Sequence, residues 1–404
     1  MKKKAFLAIM LAVLLVTSGC KGSAMPNDDE FHPDVDYPYT FSDGIIGLSL
    51  SSTENGYYLL HNSLIYYMDK ESMKPVILDN RPDNNCMAKP DKKNCYAFVE
   101  HDNQGATSLL QYYNSKLYIA ESLFDPAVSD AGWYMKLSRL DPDGTNRRAI
   151  KTFKITPRAI AIHRGYIYFA TISVSKDNVE KLEIKRSKLN HPIKEEVIYE
   201  GAEDGVTNLS TLTPYGNQLY WVGHGKNGYR QYRYDLSTGK VTVLWNRGDG
   251  GSNSILTISD QRLYFSYFYG EPTDPRTLKK YSSDLQGGDI KEVPVEHPPV
   301  LSYFLKDRNF SYVRPVDGYE DKLPKDYPYE LAVYKDNVKI DALDLTSLTK
   351  YFEMYLGDDR YMFIRYFDNT KVGYSYVDKN QFETKQASFK TLLESKVESE
   401  SVTD

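Results

Sequence analysis

A short motif recurs seven times along this 404-residue chain. A chain that repeats one supersecondary unit is confined to solenoids, propellers and arrays. The motif is a polar tight turn, an apolar residue, an aromatic and then more strand. Clear copies are "YNSKLYIAE" at 113–121, "HRGYIYFAT" at 163–171, "YGNQLYWVG" at 215–223 and "SDQRLYFSY" at 259–267. Weaker ones are "ENGYYLLHN" at 54–62, "KDRNFSYVR" at 306–314 and "GDDRYMFIR" at 357–365. Aligned this way, the apolar position is Tyr57, Leu117, Ile167, Leu219, Leu263, Phe310 and Tyr361. The next position is Tyr58, Tyr118, Tyr168, Tyr220 and Tyr264, giving way to Ser311 and Met362. Successive steps are 60, 50, 52, 44, 47 and 51 residues, a period near 50.

Within a unit the order of elements repeats as well. Residues 208–246 read "NLSTLTPYG", "NQLYWVGHG", "RQYRYDLS" and "KVTVLW", alternating segments separated by Gly, Asn or Asp turns. Turns such as "DKESMK" at 69–74, "DPDGTNRR" at 141–148 and "SDLQGGD" at 283–289 join the third and fourth segments of other units. Four antiparallel strands repeated around an axis make a propeller blade. The expected fold is therefore all-β, a seven-bladed β-propeller of four-stranded antiparallel blades over residues 42–388. A β-sandwich or two smaller β domains would use similar strands. Seven copies without a linker favour one closed ring, which removes most sheet edges. The 35 tyrosines suit strands with one buried and one wetter face.

The N-terminus carries a different signal. Lys2, Lys3 and Lys4 precede an unbroken apolar run from Ala5 to Val16, the charged and hydrophobic regions of a secretory signal. The run is too short for a permanent span, which needs about 20 residues. Thr17, Ser18 and Gly19 follow, then Cys20. Residues 20–41 are polar, acidic and proline-bearing, the composition of a flexible linker. Removal of a signal at 1–19 takes away three lysines and no acid, so the net charge moves from −5 to −8. An acidic balance argues against nucleic acid as a partner.

Thr17-Ser18-Gly19-Cys20 resembles the lipobox of bacterial lipoproteins, with Thr17 where leucine is commonest. That resemblance implies cleavage before Cys20, a diacylglycerol thioether on its Sγ, and further acylation such as palmitate on the new α-amino group. The turn-plus-Leu-Tyr strands and hairpins such as "RLDPDGTNRRAI" resemble the propeller lipoproteins of Gram-positive bacteria. A more distant likeness is to TolB-type and low-density-lipoprotein-receptor propellers. Cys95-Tyr96-Ala97-Phe98 matches a Cys-x-Ala-aromatic segment of the lipoprotein group, while Asp79 stands where that group often has a cysteine and Cys86 falls near its histidine. The resemblance implies architecture and location, and no activity.

Cys86 and Cys95 bracket an insertion after the first unit. Outside the cell such a pair reads as a disulfide, with free thiols or a zinc site completed by His101 as alternatives. "DPDGTN" at 141–146 has the acid spacing that opens a calcium loop, but position 12 is Thr152 rather than glutamate and the flanks alternate as strands. Gly-x-Ser-x-Gly, Gly-x-Gly-x-x-Gly, His-Glu-x-x-His and Walker motifs are absent from the sequence, and no catalytic residue, metal or cofactor is assigned. "GDGGSNS" at 248–254 reads as a connecting loop, and His163 and His224 as turn residues. Aromatic-rich insertions at 267–277 and 314–330 carry the candidate ligand-loop residues: Tyr267, Tyr269, Asp274, Arg276, Arg314, Asp317, Tyr319, Tyr327 and Tyr329. Tyrosine with Asp or Arg on loops over a rigid scaffold suits recognition of sugar or peptide. The acidic end, 389–404, reads as a short helical turn and a disordered tail.

These observations lead to a lipoprotein held to the outer face of the cell membrane through Cys20. Its ectodomain is expected to be a non-catalytic binding scaffold for a cell-envelope protein or glycan. The alternative is an extracytoplasmic enzyme acting on polysaccharide or peptide, with acids gathered at the channel mouth.

Overall fold

A computed structural model describes residues 25–41, 48–84, 86–87, 94–100, 109–129, 132–174, 180–226, 228–246, 252–253, 256–268, 278–296, 298–316, 320–348, 351–367 and 370–396. Its strands form seven separate antiparallel sheets in chain order, the blades of a propeller, spanning 50–77, 109–153, 159–200, 206–246, 252–292, 302–344 and 351–396. The fourth shows the plan: an inner strand Val206–Tyr215, a second Gln218–Gly225, a third Gly228–Asp235 and an outer Val241–Asn246. In the fifth blade the inner strand is split into Ser252–Asn253 and Thr257–Ser259, both pairing with Arg262–Phe268. Among the described residues helix is limited to short 3-10 turns, and none is long and apolar enough to cross a membrane.

The repeated apolar–tyrosine pair has a simple packing role. Neighbours in a strand point to opposite faces, and each blade has a neighbour on both. Leu117 packs with Leu60 and Leu64 of the preceding blade, while Tyr118 joins Ile167 and Phe169 of the following one. Leu219 packs with Tyr168 and Ala170 behind it, and Tyr220 with Leu263 and Phe265 ahead. The expectation of one wetter face fails for these strands, because both faces are interblade core; all six residues of Gly56–His61 are buried. Tyrosine suits this place because its ring fills the wedge and its hydroxyl reaches the next blade. Tyr58 donates to Pro142 O and Tyr220 to Leu285 O, both in the following blade.

In the seventh blade the pair is Met362 and Phe363, one residue beyond the aligned Tyr361. Met362 faces the sixth blade, and the Phe363 ring meets Tyr57 of the first at 4.8 Å. A one-residue slip exchanges the faces of a strand. The ring closes without a shared strand, since the first blade is wholly N-terminal and the seventh wholly C-terminal. Side chains close it: Ser49 Oγ lies 2.6 Å from the Tyr355 hydroxyl and accepts from Tyr374, and Tyr57 donates to Asp358.

Two expected boundaries are corrected. Lys390–Lys396, read as a helical turn opening the tail, is the outer strand of the seventh blade, paired with Lys371–Asp378. The exposed edge of that third strand offers a row of backbone hydrogen-bond partners, and satisfying them outweighs the helical look of "KTLLESK". At the other end, residues 25–41 are not a free linker in this structure. They lie across the face formed by the turns between inner and second strands. Backbone N–H groups of four blades and a side chain of a fifth hold them there. Asn114 N–H donates to Asp34 O, Arg164 N–H to Val35 O, Asn217 N–H to Asp29, Gln261 Nε2 to Glu30 and Gly357 N–H to Thr40 O. Gly357 has φ +71°, and a Cβ there would stand 2.0 Å from Tyr361 O, so this contact requires glycine.

Candidate functional site

Antiparallel blades present two unlike faces. Turns between inner and second strands, and between third and outer strands, share the face covered by residues 25–41. The other face carries the loops between second and third strands and the connectors between blades. Both aromatic-rich insertions belong to this second face: 269–277 joins Arg262–Phe268 to Leu278–Asp284, and 316–329 joins Ser311–Pro315 to Glu330–Lys335. The strands that flank them belong to adjacent blades, the fifth and the sixth.

Within those insertions the described residues divide into two kinds. Tyr267 and Arg314 are strand residues, 1% and 4% exposed, and not the exposed loop positions expected. The strands run further than their alternation suggests: Tyr267 pairs with Lys279, and Arg314 with Tyr303. The Arg314 guanidinium is kept inside by the Pro315 carbonyl at 3.0 Å and by the Tyr303 ring, whose centroid is 4.5 Å away. Tyr327 and Tyr329 are half-buried in the loop between blade strands, Tyr327 N–H donating to Pro324 O, and burial raises the Tyr327 hydroxyl pKa. Tyr269, Asp274, Arg276, Asp317 and Tyr319 lie outside the described residues, as do Cys20 and His101.

Cys86 and Cys95 are joined as a disulfide, each 1% exposed, beside the Asp79 carboxylate. Asp79 is committed elsewhere. It accepts from Arg81 Nη2 at 2.7 Å and from Tyr96 N–H at 2.7 Å; these donors outweigh its burial and hold its pKa down. Sulfurs bonded to each other offer no thiolate to a metal. The bridge closes a short loop, which limits its stabilisation to about 3 kcal/mol on the chain-entropy account. Reduction, or Cys86→Ser with Cys95→Ser, is therefore expected to lower the unfolding free energy by up to that amount. Identical urea midpoints for oxidised and reduced protein would show that the clamp contributes nothing.

The calcium-like turn is filled by its own side chains. Asp141 receives Lys116 Nζ at 2.5 Å and Asn146 Nδ2 at 2.7 Å, and Asp143 receives the Thr145 hydroxyl. The carboxyls of Asp141, Glu183, Asp289 and Asp358 all have their pKa values displaced downward. Such groups are anions engaged by donors. A general acid for glycoside cleavage needs the opposite displacement.

Sequence reasoning missed a buried, densely hydrogen-bonded cluster beneath residues 25–41. Asp36, His163 and Arg164 are 1%, 0% and 4% exposed. Arg164 Nε donates to Asp36 Oδ1 at 2.7 Å and Nη2 to Oδ2 at 3.2 Å. Nη1 reaches Asp28 O at 2.6 Å, and Nη2 reaches Glu30 O at 2.7 Å. His163 is no loose turn residue: Nδ1 accepts from Tyr37 N–H at 3.0 Å and Nε2 donates to Gly216 O at 2.7 Å. The signal was available. Arg164 adopts φ +44° at a hairpin place taken by Asn114, Gly216 and Asp260 elsewhere. An arginine at a position favouring Asn, Asp or Gly is there for its side chain.

No protein-family model matches the chain, and no curated protein matches it by sequence. Solved structures do resemble it. The tricorn protease superposes with a TM-score of 0.52 at 10% identity, over 91% of this chain and 36% of that one. TolB from Acinetobacter baumannii gives 0.43 at 13% identity, over 86% and 78%. An acylaminoacyl peptidase gives 0.49 at 10% identity, over 88% and 53%. This chain thus spans about a third of the tricorn protease, and likeness at such identity concerns the fold alone.

Proposed function

We propose that this protein is an extracytoplasmic lipoprotein, anchored to the outer face of the cell membrane by lipid on Cys20. Its propeller serves as a non-catalytic scaffold for a cell-envelope protein or glycan. The observation that carries the reading is the docking of residues 25–41. Met25 lies on the covered face, so a lipid on Cys20 a few residues earlier draws that face toward the membrane. The opposite face, with its loops from the fifth and sixth blades, then points outward, free to meet a partner. Loops positioned on a rigid ring are the usual carriers of recognition.

Two arms test it in intact cells. Cys20→Ala should release the protein from the membrane fraction. Replacing 269–277 and 317–328 by short Gly-Ser turns, which spares Tyr267, Arg314 and Tyr329, should abolish crosslinking from a photoreactive residue at Glu296, an exposed position of the connector between the fifth and sixth blades that both replacements leave in place, without moving the thermal midpoint. Unchanged crosslinks after loop replacement would remove the recognition role from this face. Retention of Cys20→Ala on the membrane would remove the anchor.

A further inference from the structure

A cavity of about 390 Å³ opens between the second and third blades on the covered face, beside Met25. That size falls in the range of small-molecule sites, roughly 300–1,000 Å³. Its walls are mainly apolar or aromatic, including Met25, Tyr113, Tyr118 and Leu189. Met25 is part of the wall because its Sδ lies 3.8 Å from the Tyr113 hydroxyl, which itself accepts from Gly165 N–H at 2.7 Å. The polar lining has one sign. Arg139 and Lys188 contribute to it, and no acidic side chain does.

Arg139 sits opposite Tyr118 on the adjacent strand, so both project from the same face of the second blade. Neither Arg139 nor Lys188 takes part in an ion pair among the described residues. Asp141, whose field reaches Arg139, is already held by Lys116 and Asn146. Arg164 also borders the cavity, but its donors are spent on Asp36 and on the carbonyls of Asp28 and Glu30. Arg139, whose guanidinium also meets the Tyr118 hydroxyl, and Lys188 are therefore the lining cations that no carboxylate pairs with among the described residues. An apolar chamber with cationic groups and no acid fits an amphiphile bearing one anionic group. Arginine favours phosphate oxygens, which its planar fork can meet in pairs.

Location narrows the source. Four residues separate Cys20 from Met25, a reach of at most roughly 17 Å along an extended chain. On the anchored reading above, which this inference uses only to name the source, the cavity stands at the depth of lipid headgroups. We propose that this cavity binds a phosphate ester carried on an apolar body, with a phospholipid headgroup as the source, Arg139 and Lys188 holding the phosphate and the tyrosine–methionine wall covering the glycerol end.

The test titrates the full chain in a non-ionic, phosphate-free detergent by calorimetry, subtracting heats from protein-free micelles. The probes are dihexanoyl phosphatidylglycerol, glycerol 3-phosphate and hexyl glucoside. Saturable binding of the phospholipid, weakened by about ten- to a hundredfold in Arg139→Gln, with a smaller loss in Lys188→Gln, is the expected result. Glycerol 3-phosphate binding as tightly as the lipid would keep the phosphate assignment and make the source soluble. Hexyl glucoside binding equally well, unchanged affinity in both variants, or no saturable heat from protein that still melts cooperatively would each overturn the proposal. Cellular crosslinks from the loop face would be untouched by that failure, so it is separable from failure of the scaffold reading.

Discussion

Arg164→Ala is expected to destabilise the folded protein by about 3–5 kcal/mol, the usual cost of removing one partner from a buried pair. The substitution strands more than one group. Asp36 keeps only the His32 N–H at 2.9 Å among its donors, at 1% exposure, and the carbonyls of Asp28 and Glu30 lose their shared guanidinium. Lysine is not expected to rescue the site. One ammonium cannot meet a carboxylate in two places and reach carbonyls on either side as the guanidinium does. If residues 25–41 undock instead of enduring the unpaired charge, the loss is capped at the docking energy of that segment. Hydrogen exchange separates the two outcomes: undocking exposes the amides of Asn114 and Gly357, which donate to Asp34 and Thr40, while the blade cores stay protected. Denaturation within about 1 kcal/mol of the parent, with those amides still protected, would contradict the clamp.

That prediction concerns the part of the molecule least legible in the sequence, for a physical reason. The blades are written locally. Each Leu-Tyr or Ile-Tyr pair states which residue faces backward and which forward, so the ring could be counted from residues such as Leu117, Ile167 and Leu219. Where a different turn shifts the strand by one residue, as before Met362, local alignment assigns the faces wrongly. Residues 25–41 have no such pattern. Their five acids and three prolines look like solvated chain, and their stability comes from Arg164 and His163, more than a hundred residues away. Lys390–Lys396 failed for the same reason, since a strand paired at an outer edge needs little alternation of its own. The two aromatic-rich insertions do connect strands within the fifth and sixth blades, but their end residues Tyr267 and Arg314 belong to the core, because sequence alternation does not report where pairing stops.

Stability should fall steeply between pH 6.5 and pH 4, with His163 as the main cause. Burial pushes its pKa down to about 4, and the nearby Arg164 cation acts in the same direction. Asp36, with an oxygen 3.7 Å from Nδ1, pulls the other way but is bonded to Arg164, so burial prevails. The hydrogen bonds agree with a neutral ring: Nδ1 is an acceptor for Tyr37 N–H, and a proton there would oppose that donor. Between the two pKa values the unfolded chain binds a proton that the folded chain refuses. Stability is therefore full above about pH 6.5, declines as pH falls, and reaches its full deficit below about 4. For His163 a displacement of this size corresponds to about 3 kcal/mol. His61 and His224, also lowered to about 4 by burial, add losses of the same sign in the same window. Carboxylates such as Asp79 and Asp358 act later, since their lowered pKa values place their loss below about pH 4. Urea unfolding of His163→Gln isolates the effect, because glutamine can accept from Tyr37 and donate to Gly216 without titrating. The variant's pH curve should be flatter than the parent's by up to about 1.4 kcal/mol per pH unit near pH 5, and parallel curves would mean that His163 is not the group that charges.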